Sequence, residues 1–139
     1  MFSTRIATQI YAKICFETTL GQKKIIEKLS EYLAGDDFSR IFVLNGYAGT
    51  GKTTLTAALV GALKDLNIKP ILLAPTGRAA KVLAQYAQEK AFTIHKRIYR
   101  QRTNADYESK YSLNFNAEKG AVFIVDEASM LSDLSLIHI

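Results

Sequence analysis

The chain has 139 residues, 48% of them hydrophobic, with a formal net charge of +5. That is the size of one domain, with enough apolar material for a real core. No apolar run approaches the length of a membrane span, and the one cysteine, Cys15, excludes both an internal disulfide and a four-cysteine zinc site. A lone cysteine fits a reducing compartment, and a cytoplasmic location is expected. The two histidines, His95 and His138, are too far apart in sequence to form a metal-ligand spacing.

The first 16 residues hold Arg5, Lys13, several Ser and Thr and no acid. That weakly echoes a mitochondrial presequence, but a short surface helix packing Ile6, Ile10 and Ile14 fits better, because presequences are richer in arginine. Residues 1–20 are expected to form this helix and a lead-in, and residues 21–139 the core of the domain. A second helix opens near Thr18-Thr19-Leu20-Gly21-Gln22. It carries an apolar stripe of Ile25, Ile26, Leu29, Tyr32 and Leu33 and stops near Gly35.

Residues 40–45, Arg-Ile-Phe-Val-Leu-Asn, predict a buried strand. It runs into Gly46-Tyr47-Ala48-Gly49-Thr50-Gly51-Lys52-Thr53, which fits the phosphate-binding pattern G-x-x-x-x-G-K-[ST]. Glycines let successive N–H groups turn toward phosphate oxygens, and the following helix points its positive end at the same charge. Lys52 is placed to reach the β- and γ-phosphates of ATP, and the Thr53 hydroxyl to join Mg²⁺. Residues 53–66 predict that helix, with Leu55, Ala58, Leu59, Ala62, Leu63 and Leu66 on its apolar face.

Residues 71–74 predict a second buried strand, followed by a helix over 78–90 with Thr76 as its N-cap. A short helical turn is expected over 93–100. Residues 101–119 are polar and aperiodic, a hairpin-like excursion or a loop. Between positions 78 and 102 the net charge is +6, against −1 for the rest of the chain. Charge alone leaves open whether that window meets a polyanion or only water.

Residues 121–125, Ala-Val-Phe-Ile-Val, predict a third buried strand ending in Asp126-Glu127. Strands alternating with helices imply an α/β fold with a parallel sheet flanked by helices. Such sheets place ligands at the carboxyl ends of their strands. Asp126 is then a ligand for Mg²⁺, and Glu127 a base for the water attacking the γ-phosphate. A kinase has no use for a base aimed at water, so the pair favours ATP hydrolysis. The alternatives are a P-loop kinase and a nucleotide-binding module without turnover.

Together, residues 46–54 (GYAGTGKTT), 74–81 (APTGRAAK), 93–96 (TIHK) and 125–130 (VDEASM) resemble motifs I, Ia, a Ib-like element and II of superfamily 1B helicases, in order and spacing. The RecD-like DNA helicases are the group they resemble most. The resemblance implies a RecA-like P-loop NTPase domain and a role for Thr54 in the nucleotide loop. It implies adenine recognition by Gln22, and contacts to single-stranded DNA by Thr76, Gly77, Arg78, Thr93 and His95. It also implies 5′ to 3′ translocation. In that family a glutamine-bearing motif and a second RecA-like domain with an arginine finger follow. The chain reaches Ile139 without them, so it is expected to be an N-terminal portion with weak or no activity alone. Oligomeric state has no signature here.

Overall fold

The computed structural model describes residues 1–37, 40–101, 111–113 and 120–131. The chain divides into two compact units, residues 1–68 and 69–139.

The first unit is helical. Its elements are α1 (Phe2–Ala12), α2 (Leu20–Ala34) and α3 (Lys52–Asp65), with α1 packed on both others. Ile6 and Ile10 of α1 are fully buried. Their i, i+4 spacing puts both on the predicted face, where Ile14 is half-buried. Helix α2 begins with a capping box. Thr19 Oγ1 accepts from the Gln22 N–H at 3.2 Å, and Gln22 Oε1 accepts from the Thr19 N–H at 2.9 Å. Lys13 bridges to Asp65 of α3 at 2.7 Å, with its stem across the face of Gly61.

The predicted strand at 40–45 is absent. The segment is not in any ladder, and Ile41 and Val43 are 73% and 79% exposed, while Phe42 and Leu44 are half-buried. The pattern alternates as a strand's does, but one face lies open. A β conformation is stabilised by a neighbour that takes its N–H and C=O groups, and no described strand does so here. What anchors the segment is Tyr32 of α2. Its hydroxyl donates to the Arg40 carbonyl at 2.7 Å, and its ring meets that of Phe42 with centroids 5.5 Å apart.

The second unit holds the sheet. Strands β1 (Pro70–Ala74), β2 (Ala91–Thr93) and β5 (Val122–Val125) are parallel in the order β2-β1-β5. Helix α4 (Gly77–Ala87) packs on β1 and β2 through buried Ala80, Leu83 and Ala87. It ends three residues before the predicted Lys90, because Gln88 turns left-handed at φ 51°. Ile71 and Leu73 of β1 join Ile94 in a cluster with Phe92, Phe123 and Val125 against it. All four β5 residues are half-buried, where a fully buried strand was predicted. Among the described residues β5 is paired through β1 alone.

Strand β2 appears where no strand was predicted, and α5 (Ile94–Ile98) follows it directly. Strands β3 (Tyr99–Gln101) and β4 (Tyr111–Leu113) form an antiparallel pair, which decides for the hairpin reading at those positions. The expectations for residues 102–110 and 114–119 lie outside the described residues. A 3₁₀ turn, Ala128–Met130, closes the second unit's described part. No described helix is long and apolar enough to cross a membrane.

This is the expected α/β architecture, a parallel sheet flanked by helices as in a RecA-like P-loop domain.

Candidate functional site

In the first unit the glycine-rich loop turns into the N-terminus of α3, with Gly51 as the N-cap. Gly49 and Gly51 sit at φ 80° and 84°, backbone that a side chain strains. Gly46 is needed for space: a Cβ there would lie 3.0 Å from Thr50 Oγ1. The Thr50 hydroxyl donates to the Tyr47 carbonyl at 2.8 Å and holds the loop's curl. Lys52 folds back over the loop, with Nζ donating to the carbonyls of Gly46 at 2.5 Å and Tyr47 at 2.6 Å. The ammonium therefore lies against the loop's own carbonyls, reached from the first residue of α3. Thr53 and Thr54 are exposed in that turn, which contains no acidic residue. A loop of N–H groups, a helix N-terminus and a lysine form a donor set suited to phosphate oxygens. Residues 46–54 are thus one continuous surface of the first unit.

Gln22 belongs to the same neighbourhood. Its Oε1 is taken by the capping box, while a Cβ at Gly51 would lie 2.7 Å from its Nε2. The amide nitrogen thus lies against the phosphate loop, and the missing side chain at Gly51 admits it. A residue 24 positions before Gly46 comes beside the loop because the cap fixes its side chain.

In the second unit the carboxyl ends of the three parallel strands lie side by side. Ala74 pairs with Thr93, and Leu73 with Val125. Each strand therefore delivers its following residues to the same edge of the sheet. Beyond β1, Thr76 caps α4 by accepting from the Ala79 N–H at 3.2 Å, and Thr76, Gly77 and Arg78 are exposed. Beyond β2, Thr93 Oγ1 accepts from the Lys96 N–H at 3.2 Å, His95 is exposed, and the Arg97 guanidinium lies 5.6 Å from the Phe92 ring centroid.

Beyond β5 come Asp126 and Glu127. The Asp126 N–H donates to the Leu73 carbonyl at 3.0 Å, extending the ladder one residue past the strand. The Asp126 carboxylate is held at both oxygens: Oδ1 accepts from the Glu127 N–H at 3.0 Å, and Oδ2 from the Tyr86 hydroxyl at 2.5 Å. Burial, then the hydrogen bond and charge of Asp126 and the charge of Glu127, raise the Tyr86 pKa well above its ordinary value, so it stays a donor. Glu127 is left-handed at φ 55° and exposed, and it starts the 3₁₀ turn. An open groove of about 260 Å³ is lined by Thr76, Arg78, Ala79, Val82, Asp126, Glu127 and Met130. Four predicted residues, Thr76, Arg78, Asp126 and Glu127, therefore share it, and Gly77, Thr93 and His95 do not line it.

Tyr86 was not singled out in the sequence. It sits in the last turn of an amphipathic helix, and its partner is 40 positions away, so spacing carries no trace of the contact. No three described His, Cys, Asp or Glu residues cluster as a metal site. A magnesium ion at Asp126 would thus draw other ligands from phosphate, hydroxyl or water, which is how Mg²⁺ commonly binds beside nucleotides.

Comparison with known proteins agrees with these motifs. The AAA domain family matches residues 19–139. The chain is 33% identical over 104 residues to the ATP-dependent RecD2 DNA helicase of Deinococcus radiodurans, an overlap of 72% of this chain and 13% of that protein. It is 47% identical over 53 residues to the ATP-dependent DNA helicase Dda of Enterobacteria phage T4, covering 37% of this chain and 12% of the helicase. The chain therefore spans a small part of the length of the curated relatives it matches.

Proposed function

The chain belongs to the AAA domain family and is RecD-like, and from that premise we propose that it is the ATP-binding motor portion of a 5′ to 3′ DNA helicase, coupling ATP hydrolysis to movement along single-stranded DNA. One observation carries the reading. Lys52 lies over a loop whose Gly49 and Gly51 are left-handed, at the N-terminus of α3, a donor set shaped for phosphate.

In this reading residues 46, 48–54 hold the nucleotide phosphates, and the Gln22 amide nitrogen donates to the adenine base. Thr53 of the first unit and Asp126 of the second are each assigned as ligands for Mg²⁺, which when bound would neutralise phosphate charge. Glu127 is the base that orients the attacking water, and its exposure leaves the carboxylate accessible. Thr76, Gly77, Arg78, Thr93 and His95 contact the DNA backbone. Thr76 and Gly77 stand at the N-terminus of α4, where exposed N–H groups and the helix dipole favour a phosphate. Such contacts tolerate any base sequence and weaken with salt.

Turnover by these 139 residues alone is expected to be slow. Arg78, Arg97 and Arg100 do not match arginine-finger motifs, and a finger contributes roughly 10³–10⁵ in rate in related NTPases. The test is titration of a fluorescent ATP analogue with and without oligo-dT, together with phosphate release. Binding that is lost in Lys52→Ala, and turnover that rises with DNA, support the motor reading. Phosphate transfer to a small acceptor would replace it with a kinase, and binding with no turnover even on DNA with a non-catalytic module.

A further inference from the structure

We propose that Tyr86 is a positioning residue for the metal-binding carboxylate, holding Asp126 in one rotamer through its hydroxyl. The inference rests on the nucleotide-binding reading above and adds to it a residue that no motif contains.

The geometry is specific. Asp126 ends β5, and its backbone is already fixed by the N–H donated to Leu73. What remains free is the side chain, whose two oxygens could rotate among several directions. Glu127 N–H takes Oδ1 from the chain's own next residue. Tyr86 Oη takes Oδ2 from another element, and it is the one described long-range side chain bonded to this carboxylate. The donor is itself held. Tyr86 lies one turn beyond Leu83 and next to Ala87, both buried beneath α4, and the ring is half-buried. A phenol donates without adding positive charge, so it orients the carboxylate while leaving its full negative charge for a cation. Each carboxylate oxygen has a second lone pair, so the hydrogen bond and a metal or its bound water can share Asp126. A lysine at the same place would compete with the metal; tyrosine does not. Partners of this kind, standing behind a ligand, typically govern metal affinity by about 10–100-fold.

The experiment compares the chain with Tyr86→Phe, which removes one oxygen and keeps the ring. Binding of a fluorescent ATP analogue is measured first in EDTA and then along a Mg²⁺ titration, with the melting temperature of both proteins recorded. The expected result is metal-free nucleotide affinity within about twofold of wild type, and a half-effect Mg²⁺ concentration raised by about tenfold or more. Tyr86→His, which keeps a ring donor, is expected to fall between the two. A variant whose metal-free and metal-dependent binding decline together, in step with its melting temperature, shows a purely structural tyrosine and overturns the proposal. An unchanged Mg²⁺ titration in a folded Phe variant overturns it as well. Failure of the wild type itself to bind nucleotide with Mg²⁺ would remove the functional reading, and this inference with it.

Discussion

At the scale of single residues, the phosphate loop and the Asp126 contact make opposite demands on the side chain. Gly51 must have none. It is left-handed, and a Cβ would meet Gln22 Nε2 at 2.7 Å. Gly51→Ala is therefore expected to cost about 1–2 kcal/mol from the backbone alone and to push Gln22 off its cap. A lowered denaturation midpoint, together with loss of nucleotide binding, checks this; a midpoint equal to wild type would contradict it. Tyr86 instead needs its hydroxyl, and its titration has a defined sign. Its folded pKa lies above the ordinary value of 10.0, so folding favours the protonated phenol. The associated stability is complete below pH 10 and declines as pH rises beyond it, because the unfolded chain can then release a proton that the folded one retains. Absorbance titration at 295 nm should show one of the seven tyrosines ionising last. Tyr86→Phe should remove that final step; retention of it would assign the late group elsewhere.

At the scale of elements, caps and buried stripes were legible in the sequence, while pairings were not. Thr76 before α4 is a chemical signal confined to four residues and caps the helix as expected. The helix start expected near residues 18–22 is fixed by a Thr19–Gln22 capping box that the structure adds. Thr76→Ala should cost about 1 kcal/mol of stability, measured by urea denaturation, since it leaves an N–H of the first turn without its acceptor. Residues 40–45 have strand composition, yet strand formation depends on a neighbour that local sequence cannot supply. Strand β2 failed to register for the converse reason. Ala-Phe-Thr is too short to show a period, and its identity as a strand comes from lying against Leu72, Leu73 and Ala74. Tyr32 shows the same limit: its apolar stripe position was read correctly, but not its grip on Arg40 and Phe42. Asp126 and Glu127 were legible because they follow an apolar run at a strand's end; the tyrosine that holds one of them was not.

At the scale of the whole molecule, protection against exchange should grade with pairing. Strand β1 is flanked by β2 and β5, while β5 is paired on one side among the described residues and residues 41–45 are in no ladder. Hydrogen exchange should be slowest in β1, intermediate in β5 and fast at 41–45. Equal, strong protection of all three segments would contradict the pairing described here. The exposed Ile41 and Val43 add an apolar surface on a segment that joins no described ladder, and association that rises with protein concentration is expected from it. Helix α4 has a mechanical consequence within the second unit. It is a stiff rod with Thr76 capping one end, Tyr86 near the other and buried Leu83 between them. Ten residues of rise separate the two, about 15 Å. A tilt of about 5° about Leu83 would move the ends in opposite senses and shift the phenol by roughly half an ångström. A hydrogen bond of 2.5 Å responds to so small a stroke. Force applied at the Thr76 end would thus be delivered, with its direction reversed, to the phenol and through its hydrogen bond to the Asp126 carboxylate.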